Sequence, residues 1–191
     1  MKYLEAHGSY PLKLYRVFNN IKHVKQFLNG QIRFSNINTY TTTEDLKRQD
    51  INEGTGLFTH DDCSYHSSFA SNSVFVYCCH RTLRAAENSY FGKYIVEINY
   101  PKELAIKITE WFSNQSSKYY GGIEGVNIEY TTGNNKIIKP SSFERTSLIY
   151  SQKPIFYAKE EEFRFVIIGE KCLETHKFIQ LDNDLIDCKL I

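Results

Sequence analysis

The chain has 191 residues, 24% of them charged and 15% aromatic, with a formal net charge of +1 at pH 7. That length suits one domain able to bury roughly two thirds of its unfolded surface, and the near-neutral balance excludes the global electrostatic footprint of a nucleic-acid or anionic-membrane binder. No stretch approaches the ~20 apolar residues of a membrane span, and residues 1–8 lack a signal-peptide apolar run, so a cytoplasmic protein without a membrane partner is expected. The five cysteines, odd in number and without a CxxC spacing, read as reduced and mostly buried thiols.

No repeat or Pro/Gly-rich linker divides the chain, so residues 1–191 read as a single domain. Residues 12–18 alternate as a strand with Leu12, Leu14, Arg16 and Phe18 on one face. Ile21, Val24, Phe27 and Leu28 recur at helical spacing behind Asn19 and Asn20, and Gly30 supplies a left-handed stop before a strand at 31–37. Residues 40–72 are a polar, loop-rich insertion, in which Thr43 can cap a short helix bearing Glu44, Asp45 and Arg48. That helix reads as a solvated face or as a mobile lid.

Residues 74–79 are apolar on both faces and predict a central strand. A looser strand at 94–98 leads into a helix opened by Pro101, with Leu104, Ile108, Trp111 and Phe112 as its buried stripe. Val126, Ile128 and Tyr130 alternate into the turn Thr132-Gly133-Asn134-Asn135, which predicts a hairpin returning through Ile137 and Ile138. Final strands fall at 162–168 and 177–181. Strands outnumber helices, so the fold class is α+β with a mixed, mostly antiparallel sheet. The absence of GxGxxG after a strand and of GxxxxGK[ST] argues against a Rossmann or P-loop site.

The strongest chemical signal is Glu160-Glu161-Glu162-Phe163-Arg164. A strand entered at Glu160 puts Glu160, Glu162 and Arg164 on one face, where two carboxylates can bind ribose hydroxyls and stabilise a cation developing at an anomeric carbon. The alternative is a charged strand start in which Arg164 pairs only with Glu160 or Glu162. Leu14-Tyr15-Arg16 on the first strand, the helix ending at Asn29-Gly30, the strand holding Phe34-Ser35 and the late Glu-x-Glu together resemble the layout of ADP-ribosyltransferases. The resemblance implies an ADP-ribosyltransferase-like fold with NAD as substrate and a protein or nucleic acid as acceptor. It assigns Glu162 and Glu160 as the catalytic motif, with Glu162 catalytic, and Arg16, Tyr15, Ser35 and Arg164 to NAD binding, with no metal. It further implies that Arg16 and Glu162 lie on the same side of the sheet, within reach of one ligand, opposite faces being the outcome that speaks against the transferase layout, in a toxin or a phage–host conflict protein.

A second resemblance covers most of the chain. Arg48-Gln49-Asp50-Ile51-Asn52-Glu53-Gly54, Phe91-Gly92-Lys93-Tyr94 and Glu162-Phe163-Arg164 are similar to short motifs of an uncharacterised family of bacterial and mobile-element proteins. Two other functions fit the residues: a non-catalytic nucleotide- or protein-binding module of defence or counter-defence, and a nuclease using Asp50, Glu53, Asp61 and Asp62 as metal ligands. His60, Asp61, Asp62, Cys63 and His66 match no standard zinc spacing. Cys78 and Cys79 read as core thiols, with His80 and Arg81 at a strand end that can reach a cleft. Tyr15, Tyr40, Tyr77, Tyr119, Tyr120 and Tyr157 can stack a base or pack a core.

Overall fold

The computed structural model describes residues 5–42, 55–60, 63–68, 73–114, 119–131, 137–138, 148–169, 174–182 and 187–191. Strands β1 (Glu5–Gly8) and β2 (Lys13–Phe18) come first, and the alternation of β2 puts Leu14, Arg16 and Phe18 on one face. Helix α1 (Ile21–Leu28) starts behind Asn20, whose side-chain oxygen accepts from the Lys22 N–H. It buries Val24 and Phe27 and stops at Gly30, which sits at φ 85°. Strand β3 (Gln31–Asn36) follows, then the short α2 (Thr39–Thr42).

Within the polar stretch, β4 (Thr55–His60) and β5 (Cys63–Ser68) form an antiparallel pair where the sequence reads as loops. The helix expected after Thr43 and the acidic candidates Asp50, Glu53, Asp61 and Asp62 lie outside the described residues. Next come β6 (Val74–His80) and α3 (Leu83–Glu87), the latter capped by the Thr82 hydroxyl accepting from the Ala85 N–H. Strand β7 (Tyr94–Asn99) leads into α4 (Pro101–Asn114), which buries Leu104, Ala105, Ile108 and Phe112. Trp111 is only half-buried and packs edge-on against Phe112 at the margin of that stripe.

Strands β8 (Tyr119–Asn127), β9 (Glu129–Thr131) and β10 (Ile137–Ile138) do not form the expected hairpin. After α5 (Leu148–Ser151), strand β11 (Gln152–Pro154) runs parallel to β9, and β10 runs parallel to β4. Alternation marks a segment as a strand but does not choose its partner. A 3-10 turn (Ile155–Glu160) then delivers the chain to β12 (Glu162–Gly169), followed by β13 (His176–Gln180) and β14 (Cys188–Leu190).

The fold is α+β. Its main sheet is mixed and mostly antiparallel, in the order β1, β8, β12, β6, β2, β7, β14, with β1 parallel to β8. Helices α1 and α4 supply the cover of one face, where Leu14, Phe27, Phe75, Ile108, Phe163 and Phe165 pack together. A smaller cluster of Ile37, Val74, Val76, Val126, Tyr150 and Val166 covers part of the other face. No helix among the described residues is long and apolar enough to cross a membrane.

One topological detail positions the site. Strand β12 occupies one edge of β6, while β2 and β3 share the other. Strand β3 takes the start of β6 through Ser35 with Val76 and Asn36 with Phe75, and β2 takes its end through Tyr15 with His80. Between these bridges the sheet is split, and among the described residues no strand pairs with the β6 edge at Tyr77, Cys78 and Cys79.

Candidate functional site

A cavity of about 560 Å³ opens at this split. Its lining includes Arg16, Ser35, Glu160, Glu162 and Arg164, five of the six residues singled out for NAD binding and catalysis. Tyr15 is not among the described residues that line it; its side chain is carried to the opposite face of β2 from Arg16.

Glu162 and Arg164 share a face of β12, as their spacing requires, and both are buried, with 4% and 1% of their surface exposed. Glu160 reaches them by a different route. The strand begins at Glu162, and Glu160 ends the preceding 3-10 turn, so a strand entered at Glu160 is corrected. Glu161 between them is left-handed (φ 41°, ψ 51°), a conformation that costs a non-glycine residue on the order of 1–3 kcal/mol. Neighbouring elements hold that kink. The Arg81 N–H donates to the Glu161 carbonyl (2.8 Å), His80 Nδ1 lies 2.6 Å from the Glu160 carbonyl, and the Glu162 N–H donates to the Tyr130 hydroxyl (2.7 Å).

A lysine that the sequence did not bring forward completes the cluster. Lys153 Nζ lies 2.9 Å from Glu160 Oε2 and 2.7 Å from Glu162 Oε2, above the Tyr157 ring at 4.9 Å. Arg164 Nε donates to Glu162 Oε1 (2.7 Å) and its Nη1 donates to the Tyr150 carbonyl (2.8 Å). Burial alone would push the Glu162 carboxyl up, but Arg164 and Lys153 together hold it well below the usual carboxylate range. Glu160 is raised by burial and by Glu162, against the pull of Lys153, and Tyr90 donates to its Oε1 at 3.4 Å. The two glutamates therefore differ: one is firmly ionised, the other more readily protonated.

Arg16 enters the cavity through the split. Tyr15 opposes His80 and His80 opposes Glu162, so Tyr15 shares the face of Glu162 and Arg16 belongs to the other. The expected common face is therefore corrected, an outcome that speaks against the transferase layout, while both residues line one cavity. With no strand alongside Cys78, the Arg16 guanidinium turns into the gap and its Nη1 donates to the Cys78 carbonyl. It stacks over Tyr77 at 4.7 Å, and among the described residues its buried Nε has no hydrogen-bond partner. Arg16 thus satisfies an open strand edge while its side chain lines the cavity.

Ser35 lies on the Glu162 face by register, since it pairs with Val76 and Val76 with Val166. Cys78 and His80 line the same space. Burial, followed by the charge of Glu162, pushes the Cys78 thiol up to about 12, so it stays protonated and is no nucleophile near neutral pH. The Tyr40 hydroxyl lies 3.7 Å from its Sγ. A carbonyl can only accept, so His80 Nδ1 carries the proton toward Glu160, and burial keeps the imidazole below its usual value. Lys153 escaped sequence reasoning because only the parallel β9–β11 pairing and the 3-10 turn bring it back to Glu160. Comparisons with protein-family models, with curated proteins and with solved structures return no match to the chain.

Proposed function

We propose that this chain is an NAD-dependent ADP-ribosyltransferase that modifies a macromolecule, acting in the cytoplasm as a toxin or a phage–host conflict protein. The observation that carries the reading is the meeting of Arg16, Ser35, Glu160 and Glu162 at one cavity, within the ~300–1,000 Å³ typical of ligand clefts. In this reading Arg16 binds phosphate, and the ionised Glu162 stabilises positive charge as the bond from ribose C1′ to nicotinamide nitrogen breaks. The electron pair leaves with nicotinamide, the acceptor nucleophile bonds to C1′, and its proton passes to solvent. Glu160, held closer to neutrality, is suited to hydrogen-bond a ribose hydroxyl. Tyr90 and Tyr157 offer aromatic surface beside it.

One observation favours the second reading, a nucleotide-binding module without catalysis: Lys153 and Arg164 already neutralise Glu162. Both readings require NAD or a related nucleotide to bind. Thermal melting separates them from a metal-dependent nuclease. Saturation at 100 times Kd stabilises by ~2.7 kcal/mol, or roughly 5–10 °C at ~2–4 °C per kcal/mol for a domain of this size. NAD should give that shift and Mg²⁺ or Mn²⁺ should not. A shift with the metals alone would overturn the transferase reading.

A further inference from the structure

The cavity wall on β3 and β13 carries side chains that the transfer chemistry leaves unused. Register sets Ser35 against His176 and Arg33 against Phe178, so all four share one face. Because Ser35 also opposes Val76, that face is the one of Glu162 and Arg164. Arg33, His176 and Phe178 all line the cavity. A lone exposed ring is ordinary on a protein surface, but Phe178, 59% exposed, stands beside an exposed guanidinium. His176 stands next to them on the same wall, its imidazole beside the Arg33 charge.

Strand order arranges these groups in line. Glu162 lies on β12, the Arg16 guanidinium meets the open edge of β6, Arg33 lies on β3 and Phe178 on β13. Three strand spacings put Phe178 on the order of 14 Å from the strand of Glu162. A carboxylate, two guanidiniums and an aromatic ring follow one another, which matches a ribose, a pyrophosphate and a base. Guanidinium forks suit phosphate oxygens, and an exposed ring stacks a base.

We propose that the β3–β13 wall is the subsite for the nucleoside diphosphate half of a dinucleotide. Arg33 and Arg16 hold the pyrophosphate, and Phe178 stacks the base. This rests on the ADP-ribosyltransferase reading of the cavity and extends it from Ser35 to Arg33 and Phe178, which the sequence left unassigned. Arg33 and Phe178 are exposed, so their substitution leaves the core intact.

The test is calorimetric titration of ADP and of adenosine into the full chain and its variants. ADP should bind wild type at one site. Arg33→Gln should weaken ADP at least ~10-fold and adenosine less than ~2-fold, whereas Phe178→Ala should weaken both at least ~10-fold. Leu12→Ser, which removes a side chain on a residue 82% exposed and outside the cavity, should leave ADP affinity unchanged. Failure of wild type to bind ADP, or retention of wild-type ADP affinity by both cavity variants, would overturn the subsite. If both variants lose ADP while NAD yields no transfer, the subsite stands and the transferase reading fails. If transfer proceeds with unchanged KM for NAD in both variants, the transferase reading stands and the subsite is overturned.

Discussion

Glu162→Gln is expected to destabilise the protein measurably, by an amount the geometry limits. Glutamine keeps an oxygen able to accept from Arg164 Nε, now at 2.7 Å, but turns an NH₂ toward Lys153 and toward Arg164 Nη2. Breaking a buried pair outright costs ~3–5 kcal/mol, and losing a charge-assisted hydrogen bond ~1.5–3. The retained bond, and Glu160 as a second partner for Lys153, bring the expected loss to ~2 kcal/mol, or roughly 4–8 °C in Tm. Arg164→Gln leaves Glu162 with Lys153 as its charged partner and deprives the Tyr150 carbonyl of its charged donor, and should lose a similar amount. The double variant should lose less than the sum, because the two residues share one interaction. Thermal melting of the three variants is the assay. Tm values within ~1 °C of wild type in both single variants would refute the buried pair. A stability loss and a catalytic role coexist in this geometry, so melting does not separate them and turnover must.

Burial holds the His80 and His176 imidazoles below their usual values, so unfolding takes up protons as pH falls through ~6.5. The two imidazoles therefore contribute a loss of stability from about pH 7 to about pH 5, which the raised Glu160 carboxyl opposes; a Tm profile whose slope is unchanged in His80→Gln would contradict the assignment. Arg16→Gln should lower Tm, since the Cys78 carbonyl loses a charged donor worth ~1.5–3 kcal/mol, and should weaken NAD at least ~10-fold; retained affinity in calorimetry would remove Arg16 from the ligand. Gly92→Ala should cost on the order of 2 kcal/mol or more, because its Cβ would overlap the Phe18 carbonyl; a Tm equal to wild type would refute that close approach.

Elements whose side chains repeat with a period were legible in the sequence. The all-apolar run of β6, the helical spacing of α1 with a cap at Asn19 or Asn20, which the structure settles as Asn20, and the placing of Glu162 with Arg164 on one face all follow from local pattern. What depended on partners was not legible. Alternation correctly sorted Arg16 from Tyr15, yet which of them shares a face with Glu162 depends on β6 lying between their strands. Glu160 joins Glu162 through a left-handed Glu161, and nothing in a glutamate announces positive φ. Lys153 and Phe178 reach the cavity by pairings across 23 and 145 residues of chain, beyond any local signal. Gly92 in the Phe91-Gly92 motif shows the reverse: the close backbone approach gives a physical reason for a residue that was only a letter in a resemblance.

The most direct measurement is transfer of label from the ADP-ribose half of NAD into a cell lysate by wild type and by Glu162→Gln. The account predicts labelled macromolecules with wild type, and with the variant a turnover lower by at least ~100-fold at NAD affinity changed only a few-fold. Wild type that binds NAD but labels neither protein, DNA nor RNA would contradict it, leaving Glu162 as a structural partner of Arg164 and Lys153.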